Sequence, residues 1–224
     1  MQTISDFKNP DFFAQNKKVS FSDKLNLDSP FLLIKPNNDT YSNIFKRNLL
    51  QKEIKSLIRA GLENLEVGWS SHTNWLDFVS EIKLKYPKLN LGSASIVNKH
   101  SIEDSIKIGL KFSMMKFWDK DLFNYARNRG HLLIPGIKTL RDLKEAINLN
   151  CKIIKIYPIK AKDDLIEIKN FNNIYFIAAG GLSINDINIC RSLGYKTIVI
   201  GEKGLKNNKF DPKIHDWLKN NKTQ

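Results

Sequence analysis

Short apolar, β-branched runs alternate with amphipathic helical stretches along most of this chain, and that alternation restricts it to a parallel α/β architecture. Strand signals open at Phe31, Asn64, Leu89, Phe112, Leu132, Cys151, Ile174 and Thr197. Helical spacing lies between them. Ile44, Leu50, Ile54, Leu57 and Ile58 share one face and stop at Gly61, and Trp75, Phe78, Val79 and Ile82 share another. Further helices are predicted over 101–108, after Asp119, after Thr139, over 163–169, after Ser183 and over 211–218. Eight strands alternating with helices within roughly 200 to 250 residues describe a (β/α)₈ TIM barrel. A doubly wound sheet is the runner-up, but Pro36-Asn37-Asn38 follows the first strand where a glycine-rich dinucleotide loop would stand. The expected organisation is one domain over 1–224: an N-terminal arm or helix (1–29), the barrel core (30–205) and a C-terminal helix (206–224).

No apolar run approaches membrane-span length, and residues 1–28 lack the apolar centre of a signal peptide, so a cytoplasmic protein with no membrane partner is expected. The net charge of +13 comes mainly from scattered lysines; only six arginines are present and no nucleic-acid motif accompanies them. The excess favours anionic ligands rather than nucleic acid. Cys151 and Cys190 support neither a disulfide framework nor a zinc site and read as reduced core thiols. His72, His100, His131 and His215 show no ligand spacing, so neither a metal nor a cofactor is expected.

One residue breaks the pattern of its strand. In Ile153-Ile154-Lys155-Ile156-Tyr157, the side chains of Ile153, Lys155 and Tyr157 share one face. Burying a lysine depresses its pKa, and a neutral amine in a dry site is what a Schiff-base enzyme needs. The alternative is a lysine whose stem lies on apolar surface while its head reaches water. Glu66 lies between Leu65 and Val67; if those pack against helices, Glu66 points inward. The second and sixth strands are both even, so Glu66 and Lys155 can share a layer, either as reacting groups or as a buried ion pair that fixes register. Lys35, Ser95 and Lys116 stand near other strand ends, at the barrel mouth where active sites of this fold lie. Gly180-Gly181, followed by Ser183 and joined by Gly201 and Lys203, suits phosphate better than a simple turn.

These segments resemble the family of 2-keto-3-deoxy-6-phosphogluconate aldolase and 4-hydroxy-2-oxoglutarate aldolase, from about Phe31 to Leu205. Ile154-Lys155-Ile156-Tyr157-Pro158 is similar to L-K-F-F-P, Leu65-Glu66-Val67 to L-E-V, and Ile134-Pro135-Gly136 to I-P-G. Gly92 to Asn98 parallels G-A-G-T-V-L-N with Ser95 at the threonine; Ala179 to Ser183 parallels T-G-G-I-S; and Ile200 to Lys203 stands at V-G-G-S. The resemblance implies a class I aldolase with Lys155 as the imine-forming residue and Glu66 as proton shuttle. It also implies a phosphorylated keto acid held near Lys35, Ser95, Lys116, Pro135, Gly180, Gly181, Ser183, Gly201 and Lys203, no metal, and a homotrimer. The chain departs from the pattern at Met115-Lys116, where S-P is usual, and at Ser70, where some members carry arginine four residues beyond the glutamate. Past Pro158, Ile159-Lys160-Ala161-Lys162 replaces the usual small residues. Another phosphate-binding barrel enzyme and a non-catalytic binding barrel are the alternative readings.

Overall fold

A computed structural model describes residues 25–159, 168, 171, 173–206 and 209–221. Most of the N-terminal arm and all but Ile168 of the helix predicted over 163–169 lie outside them. The strands are β1 (Phe31–Ile34), β2 (Asn64–Gly68), β3 (Asn90–Ile96), β4 (Phe112–Met115), β5 (Leu133–Ile134 and Gly136–Ile137), β6 (Ile153–Ile156), β7 (Tyr175–Leu182) and β8 (Thr197–Ile200). Their neighbours are parallel and run β5-β4-β3-β2-β1-β8-β7-β6-β5, with the first half of β5 on β4 and the second half on β6. The chain through Pro135 therefore closes the sheet into a barrel. Pro135 has no N–H to give a ladder, which splits the strand, and its carbonyl accepts from the Lys155 N–H at 3.0 Å.

Alternation sorts the side chains. Leu32, Ile34, Leu65, Val67, Ile154, Ile156 and Ile198 face the helices, while Phe31, Phe112, Met114, Ile134, Ile153 and Ile177 fill the barrel interior. Phe31 and Phe112 meet edge to face at 5.4 Å. Gly92 makes room for this floor, since a Cβ there would stand 2.5 Å from the Phe112 ring.

The helices α2 (Ile44–Ala60), α3 (Trp75–Lys85), α4 (Lys99–Ile108), α5 (Lys120–Asn128), α6 (Leu140–Asn148), α7 (Ile187–Ser192) and α8 (Pro212–Asn220) cover the outside, after a short α1 (Asn38–Ser42) that the periodicity does not reveal. Gly61 ends α2 in the left-handed region, and Asp119, Thr139 and Asp211 cap α5, α6 and α8. A small hairpin (Leu205–Lys206 with Lys209–Phe210) intervenes before α8. No described helix is long and apolar enough to cross a membrane. Cys151 and Cys190 are buried and unbridged.

A buried polar ladder joins β3 and β4 to α4. Ser105 Oγ donates to the Ser101 carbonyl at 2.7 Å, and the contacts Ser93–Ser105, Ser93–Ser113 and Ser113–His131 Nε2 are each 2.7 Å. Each hydroxyl has one hydrogen, so the order of donation runs Ser113 to Ser93 to Ser105, which leaves Ser113 accepting from a neutral imidazole protonated on Nε2. Burial lowers the His131 pKa from 6.5 to about 4. Unfolded chain therefore takes up a proton between those values that folded chain refuses, and stability falls as pH drops through the window. Relative to His131→Gln, wild type is expected to lose up to about 3 kcal/mol between pH 6.5 and 4 in urea titrations. An unchanged difference across that range would contradict a neutral buried imidazole.

Candidate active site

The interior widens above its aromatic floor into a cavity of about 470 Å³ at the C-terminal mouth. The same alternation that places Ile153 inside places Lys155 and Tyr157 there, and Leu65 and Val67 on the helix side send Glu66 inward. β2 and β6 are four strands apart in a ring of eight, so Glu66 and Lys155 approach from opposite walls. Both are almost fully enclosed, at 1% and 7% exposure.

Burial is the leading cause of both pKa shifts, raising Glu66 and lowering Lys155 toward their neutral forms. Their mutual attraction opposes both shifts, and the Lys35 ammonium lowers both values. Among the described residues, Glu66 Oε1 is buried without a hydrogen-bond partner, so that oxygen is not fixed by a structural bond. Lys155 Nζ lies 5.8 Å from the centre of the Tyr157 ring. The Lys35 stem lies across Gly68, where a Cβ would approach its Cγ to 2.9 Å; a glycine two residues past Glu66 thus makes room for the Lys35 stem.

Two irregularities shape the rim. On the β3 side the register shifts between Ser93 and Ile96, and Ser95 adopts φ 61°, a strained conformation for a residue with a Cβ. Trp69 N–H bonds the Ala94 carbonyl at 2.8 Å and Lys116 N–H bonds the Ile96 carbonyl at 3.2 Å, holding the bulge from both flanks. On the β7 side the register shifts between Ala179 and Leu182, with Gly180 at φ 119° and Gly181 at φ 64°. A Cβ on Gly180 would stand 3.1 Å from Pro158 and Ile159, whereas one on Gly181 would meet nothing within 4 Å among the described residues.

Nine of the residues expected at a site line this cavity: Lys155, Glu66, Lys35, Ser95, Lys116, Gly180, Gly181, Gly201 and Lys203. Pro135 and Ser183 are not among the lining residues. Pro135 serves β6 through its carbonyl, and Ser183 donates through N–H and Oγ to Asp186, at 2.7 and 2.8 Å, at the start of the turn leading to α7. Sequence reasoning missed Glu202, an exposed carboxylate on the rim beside Lys203, and the apolar wall of Leu33, Val199 and Leu205. The parity that singled out Lys155 also points Leu33 and Val199 inward. No group of three or more His, Cys, Asp or Glu side chains suited to a metal occurs among the described residues.

The opposing charges around Lys155 predict opposite effects of two substitutions. Replacing Glu66 by Gln removes an attraction and should lower the Lys155 pKa further; replacing Lys35 by Met removes a repulsion and should raise it. Titration of the lysine Cε resonances in ¹³C-lysine-labelled protein, with Lys155→Met to assign the signal, reads both directions. Equal values in all three proteins would contradict this electrostatic arrangement.

Comparison with known proteins agrees with this geometry. A family model described as KDPG and KHG aldolase matches residues 44–211. A 2-dehydro-3-deoxy-phosphogluconate aldolase of Pseudoalteromonas atlantica is 27% identical over 133 residues, which are 58% of this chain and 61% of the relative; the match thus spans about three fifths of that protein. The solved 2-keto-3-deoxy-6-phospho-gluconate aldolase from Zymomonas mobilis superposes with a TM-score of 0.72 at 17% identity, covering 91% of this chain and 96% of that one. A KDPG aldolase from Legionella pneumophila, with pyruvate captured as a covalent carbinolamine intermediate, gives 0.69 at 15% identity over 89% and 100%. The structural likenesses establish a common fold, and the family model spans most of the sequence: the chain belongs to the KDPG and KHG aldolase family.

Proposed function

We propose that this protein is a class I aldolase that cleaves 2-keto-3-deoxy-6-phosphogluconate to pyruvate and glyceraldehyde 3-phosphate. It also acts on 4-hydroxy-2-oxoglutarate. The observation that carries the reading is the enclosure of Lys155 and Glu66 in one cavity, with burial driving the amine and the carboxyl toward neutrality. Dry amines are nucleophiles, and dry carboxyls of raised pKa exchange protons near neutral pH.

In the reaction, Lys155 Nζ adds to the C2 carbonyl of the substrate. Glu66 protonates the carbinolamine hydroxyl, which leaves as water and gives a protonated imine. The carboxylate thus formed takes the C4 hydroxyl proton as the C3–C4 bond breaks. Its electrons flow into the imine, giving an enamine and the free aldehyde. Protonation at C3 and hydrolysis release pyruvate and restore the amine. The glycine bulge at Gly180-Gly181, with Gly201 and Lys203 beside it, supports phosphate binding there, because an uncrowded backbone admits an anion to its amides. An oligomer, and the trimer implied by the resemblance, belongs to the same proposal.

Lys155→Ala should abolish cleavage, and Glu66→Gln should slow it by about 10²- to 10⁴-fold, the usual scale of acid–base assistance. Because Lys155 is depressed from 10.5, kcat/KM should stop rising with pH well below that value. Steady-state cleavage, coupled to reduction of the released pyruvate, checks all three. Near-normal turnover by Lys155→Ala would exclude the mechanism.

A further inference from the structure

We infer that Glu202 sets the substrate range of this enzyme: it weakens the hold on a distal phosphate, so that unphosphorylated 2-keto-3-deoxy sugar acids are cleaved alongside phosphorylated ones. The inference rests on the imine chemistry and the phosphate placement proposed above. Lys155 on β6 and Glu66 on β2 divide the barrel mouth into two halves. β7, β8 and β1 make one half, whose rim carries Gly180 and Gly181, the turn after β8, and Lys35. β3, β4 and β5 make the other.

The turn after β8 is a fixed corner. Gly204 N–H closes it on the Gly201 carbonyl at 2.8 Å, and Asp211 N–H bonds the Gly204 carbonyl at 2.9 Å. Gly204 is seated tightly between the end of β8 and α8, since a Cβ there would stand 2.6 Å from Ile200 Cγ2 and 3.0 Å from Ile214 Cδ1. Glu202 and Lys203 are the two central residues of this turn, and both are exposed and line the cavity. Among the described residues, Glu202, Lys203 and Lys35 form no salt bridge with one another or with any other side chain. A carboxylate with no bonded cation therefore stands on the rim that the phosphate approaches.

Mixed charge on one rim discriminates between ligands by their far end. The ammonium groups of Lys35 and Lys203 and the glycine amides attract a phosphate, and Glu202 repels it. A hydroxyl at the same carbon meets no such repulsion, because a carboxylate accepts a hydrogen bond from it and an ammonium donates one to it. The bond that breaks, C3–C4, is remote from C6. Both kinds of substrate thus pass through the same imine and enamine and release pyruvate, and only the second product differs: glyceraldehyde 3-phosphate from one, glyceraldehyde from the other. Glu202 acts on the binding of the distal end and not on the reacting atoms.

The test compares kcat/KM for 2-keto-3-deoxy-6-phosphogluconate and for 2-keto-3-deoxygluconate, each followed through reduction of the released pyruvate. Wild type should cleave both. Glu202→Gln should raise the ratio of phosphorylated to unphosphorylated kcat/KM by about three- to tenfold, Glu202→Lys should raise it further, and Glu202→Asp, which keeps the charge, should hold it. Because the turn is exposed, the shift should shrink as salt rises from about 0.05 M to about 0.5 M, a dependence that a merely structural role would not produce. An unchanged ratio in the Gln and Lys variants, an equal change for both substrates, or a wild type that leaves 2-keto-3-deoxygluconate uncleaved would overturn the inference. Exchange of the C3 protons of pyruvate in D₂O, read by NMR, involves no distal group and separates two failures. Wild type that exchanges them yet breaks these expectations overturns the role of Glu202, whereas wild type that does not exchange them overturns the imine chemistry, and this inference with it.

Discussion

Desolvation of two opposite charges inside one barrel is the constraint on which the site depends. Glu66 and Lys155 stand on opposite walls above a floor made by Phe31 and Phe112, where neither ionised form is well solvated. Each group disfavours the loss of the other's charge, and burial outweighs that attraction in both cases. A tight ion pair would have made a stable but inert strut. Among the described residues Oε1 of Glu66 is unbonded, which suits the carboxyl to the proposed proton transfer.

Around this pair the backbone departs from regular structure in two places, one in each half of the mouth. Bulges next to active sites re-aim side chains and open room at strand ends. Here Ser95 is turned by a strained φ between two fixed hydrogen bonds, and Gly180-Gly181 removes side chains from the opposite rim. Pro135 and Gly136 complete the frame from behind. One splits β5 and accepts the Lys155 N–H, and the other lets β5 approach the end of β4.

Much of this frame was legible in the chain before its fold was known. Alternation in Ile153 to Tyr157 places Lys155 inward, and the apolar flanks of Glu66 do the same on β2. Both rules are local and both hold. The helix ends at Gly61, Asp119, Thr139 and Asp211 were readable because caps are local chemistry. The bulges, the split of β5, the α1 turn and the Leu205–Phe210 hairpin were not, because they arise from closing the barrel and from register between strands distant in sequence. Ser183 carried a phosphate-site expectation from its motif, yet its hydroxyl bonds Asp186 three residues on, a local alternative always open to serine. Glu202 escaped notice since a single acidic residue beside a lysine has no periodic signature.

The central claim is that Lys155 forms the imine. The most direct measurement is reduction with borohydride in the presence of pyruvate, followed by digestion and peptide mass spectrometry. The account predicts a reduced pyruvyl adduct on Lys155 and its loss in Lys155→Ala. Folded wild-type protein that carries no adduct, or carries it on another lysine, would contradict it.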